Sequence, residues 1–244
     1  MSVPVIPPVA EVAEAQRVLR GLLADVDDEH VRAPSALPGW SRGHVLAHLT
    51  DNARMFGRLA EHALRGELVP TYEGGQAERD AIIEETAGRT AAEHRAALAE
   101  HTGALMSVWA LAKAEDWRRP VSFRNADIAA TVFARWREVW IHMVDLDLGV
   151  APAAWPQELA GHTLDFLLSR LPSGVRLVAT DVDRDWESGG GDAPGAAAEV
   201  RGGVRDLAAW LAGRVPGTPP SSPNGLPELG PWPPHPPQPA GRTA

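Results

Sequence analysis

Apolar residues recur at helical spacing through most of the first 150 positions. Val9 to Val26 carries Val12, Leu19, Leu22, Leu23 and Val26, the stripe of an amphipathic helix. Pro34, Pro38 and Gly39 interrupt it, and Ser41 is placed to cap a second helix running to about Arg65. That helix presents Val45, Leu46, Leu49, Phe56 and Leu59 as its apolar set. Gly66, Pro70, Gly74 and Gly75 mark a loop, and a shorter helix is expected from Gln76 to Glu85. Thr90 followed by Glu93 has the spacing of a capping box and opens a helix to about Ala114. After Pro120 a fourth long helix runs from about Ala126 to Leu148, stopped by Gly149 and Pro152. Four long helices with apolar stripes predict a bundle.

Beyond Pro152 the pattern changes. Gln157 to Leu171 reads as a helix, Gly174 to Thr180 as a strand, and Asp181 to Gly195 as a turn-rich stretch. Ala196 to Gly202 alternates as a second strand, and Val204 to Ala212 is helical. From Val215 onward eleven of thirty residues are proline, so this tail is extended or mobile and continues neither helix nor central strand. The predicted fold is therefore mainly α: a four-helix bundle over residues 1–152, a small α+β C-terminal domain over 153–216 and a proline-rich tail over 217–244.

Composition narrows the functional classes. The 244 residues are 44% hydrophobic and 23% charged, as in an ordinary globular chain able to bury a sizeable core. The net charge of −9 argues against general nucleic-acid binding, which needs a basic footprint. Met1 to Ala10 has neither the basic nor the apolar region of a signal peptide, and no window approaches a membrane span of about 18 apolar residues. A cytoplasmic protein without membrane or nucleic-acid partners, acting as a monomer, is the expectation. The chain contains no cysteine, so a metal would be held by His, Asp and Glu, and thiol chemistry would need an imported thiol.

Two helices carry polar residues where apolar ones would be easier to bury. His44, His48 and Asp51 share a face of the second helix, and Glu138, His142 and Asp145 share a face of the fourth. Three such groups on facing helices would suit a divalent metal with a position left open for water or substrate. The same stripes also describe solvated faces, with Glu138 and His142 a surface ion pair worth about 0.3–0.5 kcal/mol. Spacing does not decide whether they point inward. Asp51 could border such a site or accept a hydrogen bond behind it but reads best as an exposed acid, and Asp145 and Asp147 receive no role. Of the nine tryptophans, Trp40, Trp136 and Trp140 read as core or hinge packing.

The run LPGWSRGHVLAHLTDNA at residues 37–53, with REVWIHMVDLDLG at 137–149, resembles the mycothiol-dependent maleylpyruvate isomerase family of the DinB-like superfamily. The resemblance extends from about residue 10 through VRDLAAWLAGR at 204–214 to about residue 232. It implies a DinB-like four-helix bundle followed by a small α/β domain. It also implies zinc held by His48, Glu138 and His142, with His44 lining the bundle or hydrogen-bonding behind the ligands. Arg214 occupies the position of the family's essential arginine; read without the resemblance, it is a cation offsetting a helix C-terminus.

The activity implied is isomerisation of maleylpyruvate to fumarylpyruvate, with zinc as metal and mycothiol as thiol cosubstrate. The same site would also suit mycothiol S-transfer onto another small electrophile. A non-catalytic small-ligand-binding protein is the alternative from outside enzymology.

Overall fold

The computed structural model describes residues 7–189 and 198–233. The described chain falls into two compact units, one ending at Leu148 and the other beginning at Gly149.

The first unit is a bundle of four long helices, α1 (Val9–Leu22), α3 (Arg42–Leu64), α5 (Ala91–Leu111) and α6 (Ile128–Asp145), with shorter α2 (Asp28–Arg32) and α4 (Gly75–Ala87). Around the bundle α1 packs on α6, α6 on α3, α3 on α5 and α5 on α1, while α4 lies against α3. The apolar stripes meet inside, where Leu19, Leu49, Phe56, Leu105, Ile128 and Val139 are almost fully buried.

Local chemistry sets the helix ends. Thr90 and Glu93 form the expected capping box, and the Asp127 carboxylate accepts from Ala130 N at 2.9 Å to start α6. Helix α2 was not expected from the pattern. It is too short to show a period, and Asp27 caps it by accepting from His30 N.

Two contacts fix the parts of the bundle that matter for function. Arg42, in the first turn of α3, donates from Nε to Leu146 O at 2.6 Å and from Nη2 to Asp147 O at 2.9 Å. It thereby satisfies carbonyls at the end of α6 and ties the start of one helix to the end of the other. Gly43 provides the second contact, because a Cβ there would lie 2.2 Å from Ala87 O. Only glycine lets the end of α4 approach so closely, and Ala47, Ile83, Ala87 and Trp40 then pack across the junction.

The second unit holds α7 (Gln157–Leu167), β1 (Val175–Ala179), β2 (Asp185–Glu187), β3 (Ala198–Gly202) and α8 (Val204–Leu211). The sheet order is β2-β1-β3, with β1 antiparallel to β2 and parallel to β3. The expected helices and strands are present, so the protein is mainly α with a small sheet toward its C-terminal end. Strand β2 lies in the stretch read as turns; three residues are too few for alternation to register. Of the strand expected from Ala196, the first two residues lie outside the described ones, as do 190–195.

The described part of the proline-rich tail forms no helix. Ser221 exchanges two backbone hydrogen bonds with Arg201, and Gly230 N donates to Arg170 O while Arg170 Nε donates to Gly230 O. Residues 234–244 lie outside the described part. Among the described residues, no helix is long and apolar enough to cross a membrane.

Candidate metal centre and adjoining cavity

The site is assembled from one residue of α3 and two of α6. His48 Nε2 lies 2.8 Å from Glu138 Oε2, and His142 Nε2 lies 3.2 Å from the same oxygen. The two imidazole rings meet edge to face, 4.7 Å between centroids. One ligand atom from each of the three residues lies within 4.8 Å of the others. Four-residue spacing places Glu138 directly below His142 on α6, and the Arg42 clamp brings that face opposite His48.

This donor set suits a divalent metal. Ligands at about 2.0–2.2 Å in a tetrahedral arrangement stand roughly 3.4 Å apart, so the 2.8 and 3.2 Å contacts would open by only a few tenths of an ångström. The outer nitrogen of His142 is also engaged: Nδ1 lies 2.8 Å from Oδ2 of Asp145, which is almost wholly buried. An imidazole donating from Nδ1 to that carboxylate presents its Nε2 lone pair to the centre. Pairing with the His142 imidazole explains a buried acid in the last turn of α6, where the helix dipole opposes it.

Electrostatics follow from these contacts. Burial favours the neutral form of Glu138, but the hydrogen bonds from His142 and His48 outweigh it and hold the carboxyl well below its usual range. Burial also opposes protonation of His142, yet Asp145 and Glu138 together raise its pKa. For His48 burial prevails and the pKa falls, despite the Glu138 contact. Arg135 and Arg137 are buried behind Glu138, and desolvation lowers both to about 10 against its attraction, leaving them charged at neutral pH.

The polar face of α3 divides into three separate environments. His48 enters the site. His44 turns back to the helix start, where its Nδ1 accepts from Ser41 N at 3.2 Å and completes a capping box. Its ring stacks on Trp40, whose own ring lies 6.1 Å from that of His48. Asp51, expected as an exposed acid, is only 4% exposed. It accepts from the Tyr72 hydroxyl at 2.5 Å and from Arg54 Nη2 at 2.7 Å. Two donors 3 and 21 positions away provide the compensation that burying a carboxylate requires, and helical spacing could show only the nearer.

Beside the three candidate ligands lies a cavity of about 350 Å³, reached by His48 and Glu138 and bordered by Met55, Tyr72, Arg79, Phe123 and Arg124. Arg58 holds the Pro70 and Thr71 carbonyls, fixing the loop that presents Tyr72. Arg79, from α4, places Nη2 3.1 Å from His48 Nδ1 and Nη1 3.0 Å from Asp80. Neither Tyr72, Arg79 nor Arg124 was singled out by the sequence, since a weakly patterned helix and two loops carry no periodic signal.

Arg214 belongs to the second unit. It follows Gly213, whose φ of +70° ends α8, and donates from Nη1 to Ala212 O at 2.6 Å. Its guanidinium also lies over the Trp232 ring, 5.8 Å from the centroid.

Comparison with known proteins adds a family. Residues 12–147, more than half of the chain, match the family model of the mycothiol maleylpyruvate isomerase N-terminal domain. The structure is similar to a crystal structure of a mycothiol-dependent maleylpyruvate isomerase, with a TM-score of 0.81 at 22% identity over 91% of this chain and 94% of that one. A histidine-to-alanine mutant of a mycothiol-dependent maleylpyruvate isomerase superposes with a TM-score of 0.80 at 21% identity, with the same coverage of both chains. At such identity the likeness shows the fold. No curated protein matches the chain.

Proposed function

This chain belongs to the mycothiol maleylpyruvate isomerase family, and on that footing we propose that it is a zinc- and mycothiol-dependent cis-trans isomerase converting maleylpyruvate to fumarylpyruvate. The observation that carries the proposal is the convergence of His48, Glu138 and His142 on one point beside a small cavity. The reading takes the protein to act as a cytoplasmic monomer on a small electrophile, with a low-molecular-weight thiol as its partner.

Zinc bound by two imidazoles and one carboxylate would supply a Lewis acid that favours the thiolate form of a thiol at neutral pH. The thiol is external, because the chain has no cysteine of its own. Its thiolate adds to the activated cis double bond, forming a C–S bond and moving the electron pair onto the adjoining carbonyl as an enolate. Rotation about the resulting single bond, return of the electron pair and expulsion of the thiolate give the trans isomer, with no net redox change.

The chain's residues provide the surroundings for this exchange. Asp145 orients His142, and Trp40 flanks the His48 ring. Tyr72, whose hydroxyl donates to Asp51, forms part of the cavity wall. Arg214 is assigned to the substrate carboxylate and the enolate charge through its match to the family's arginine.

The deciding experiment follows maleylpyruvate by absorbance and product chromatography with the zinc-loaded protein, with and without mycothiol. Fumarylpyruvate formed only with mycothiol supports the proposal. A stable thioether product would instead identify a mycothiol S-transferase, and no thiol-dependent product from any small electrophile would leave a ligand-binding protein. Arg214→Ala is expected to lose turnover while retaining its metal.

A further inference from the structure

The cavity beside the ligands is cationic. Arg79 enters from α4 and Arg124 from the loop before α6, while Glu138 is the one acid among the described lining residues and is already engaged by both imidazoles. The acid that Arg79 meets, Asp80, is more than half exposed, so solvent weakens that pair. Arg124 is part-buried beside Phe123, at a backbone φ of +54° that a residue with a Cβ seldom adopts. Met55 and Phe123 give the same space an apolar wall.

Two guanidiniums beside an apolar wall, in a volume of about 350 Å³, match a short carbon chain bearing carboxylates. We propose that Arg79 and Arg124 hold a carboxylate of the electrophile in this cavity, selecting small anionic substrates over neutral ones. The inference rests on the proposed function for the identity of the reaction, but the anion subsite itself stands on the cavity. Placement next to His48 and Glu138 puts a molecule anchored there beside the metal centre. The local field of the two arginines also counters the repulsion that a net charge of −9 exerts on a dianion.

The test uses the full-length zinc-loaded protein and succinate, a dicarboxylate without an activated double bond, followed by calorimetry. The variants are Arg79→Ala, Arg79→Lys and Arg124→Asn, the last chosen because asparagine tolerates a left-handed backbone. Arg17→Ala, which removes an exposed cation on α1, controls for net charge. Zinc content and circular dichroism are measured for each.

Succinate is expected to bind the parent and Arg17→Ala alike, and to bind Arg79→Ala and Arg124→Asn about tenfold to a hundredfold more weakly, with Arg79→Lys between. Dimethyl succinate should not distinguish parent from variants. Failure of the parent to bind succinate, or parent-like affinity in folded, zinc-loaded variants, overturns the subsite.

Kinetics separate this inference from the function it rests on. Arginine-dependent succinate binding without thiol-dependent isomerisation leaves the subsite standing and removes the isomerase. Isomerisation with an unchanged KM in both variants does the reverse.

Discussion

Asp145 Oδ2 stands 2.8 Å from Nδ1 of His142, so a buried carboxylate fixes the ring whose other nitrogen faces Glu138 and His48. This contact explains both the burial of the acid and the orientation of the proposed ligand. Asp145→Asn keeps the shape but removes the charge, and should weaken zinc binding by about tenfold to a hundredfold. Competition with a chromophoric chelator measures it. Parent-like affinity in a folded variant would show that Asp145 serves the helix end rather than the metal centre.

Tyr72 is the chain's single tyrosine, which makes its ionisation directly readable. Burial, and then the hydrogen bond to Asp51, push its pKa above the usual value near 10. A group whose pKa is raised on folding contributes stability that is fully present below its unfolded pKa and is lost as pH rises through its folded one. Difference absorbance near 295 nm should therefore show no phenolate in the folded protein at pH 10. Above that pH, stability should decline faster in the parent than in Tyr72→Phe. Asp51→Ala should bring the phenolate transition down toward the ordinary value.

Gly43 permits the close approach of α3 and α4 that carries Arg79 to His48. A methyl group there meets a backbone carbonyl, which cannot rotate away as a side chain would. Gly43→Ala should cost about 1–3 kcal/mol in urea unfolding. Zinc content should be retained, because the three proposed ligands lie on α3 and α6. An unchanged midpoint would mean that α4 moves aside without cost.

The long helices were legible because each repeats its apolar period over several turns and has a readable start. Ser41, Thr90 with Glu93, and the i,i+4 pair Glu138 and His142 all act within one helix, where spacing is geometry. His44 and His48 show where spacing fails. One turn apart on the same face, one ring folds back onto the cap and the other enters the site.

Asp51 misled for a different reason. Its burial depends on Tyr72 in the following loop as well as on Arg54, and no local pattern encodes the loop contact. Arg79 and Arg124 reach the cavity through tertiary packing, and β2 and α2 are too short for either period to register.

The zinc content of the purified parent, reconstituted if necessary, beside that of His142→Ala, tests whether His48, Glu138 and His142 form one metal centre. About one zinc per chain is expected in the parent, with most of it lost in a variant that remains folded. A folded parent that takes up no zinc when supplied with it, or a variant that binds zinc as tightly as the parent, would rule out that centre.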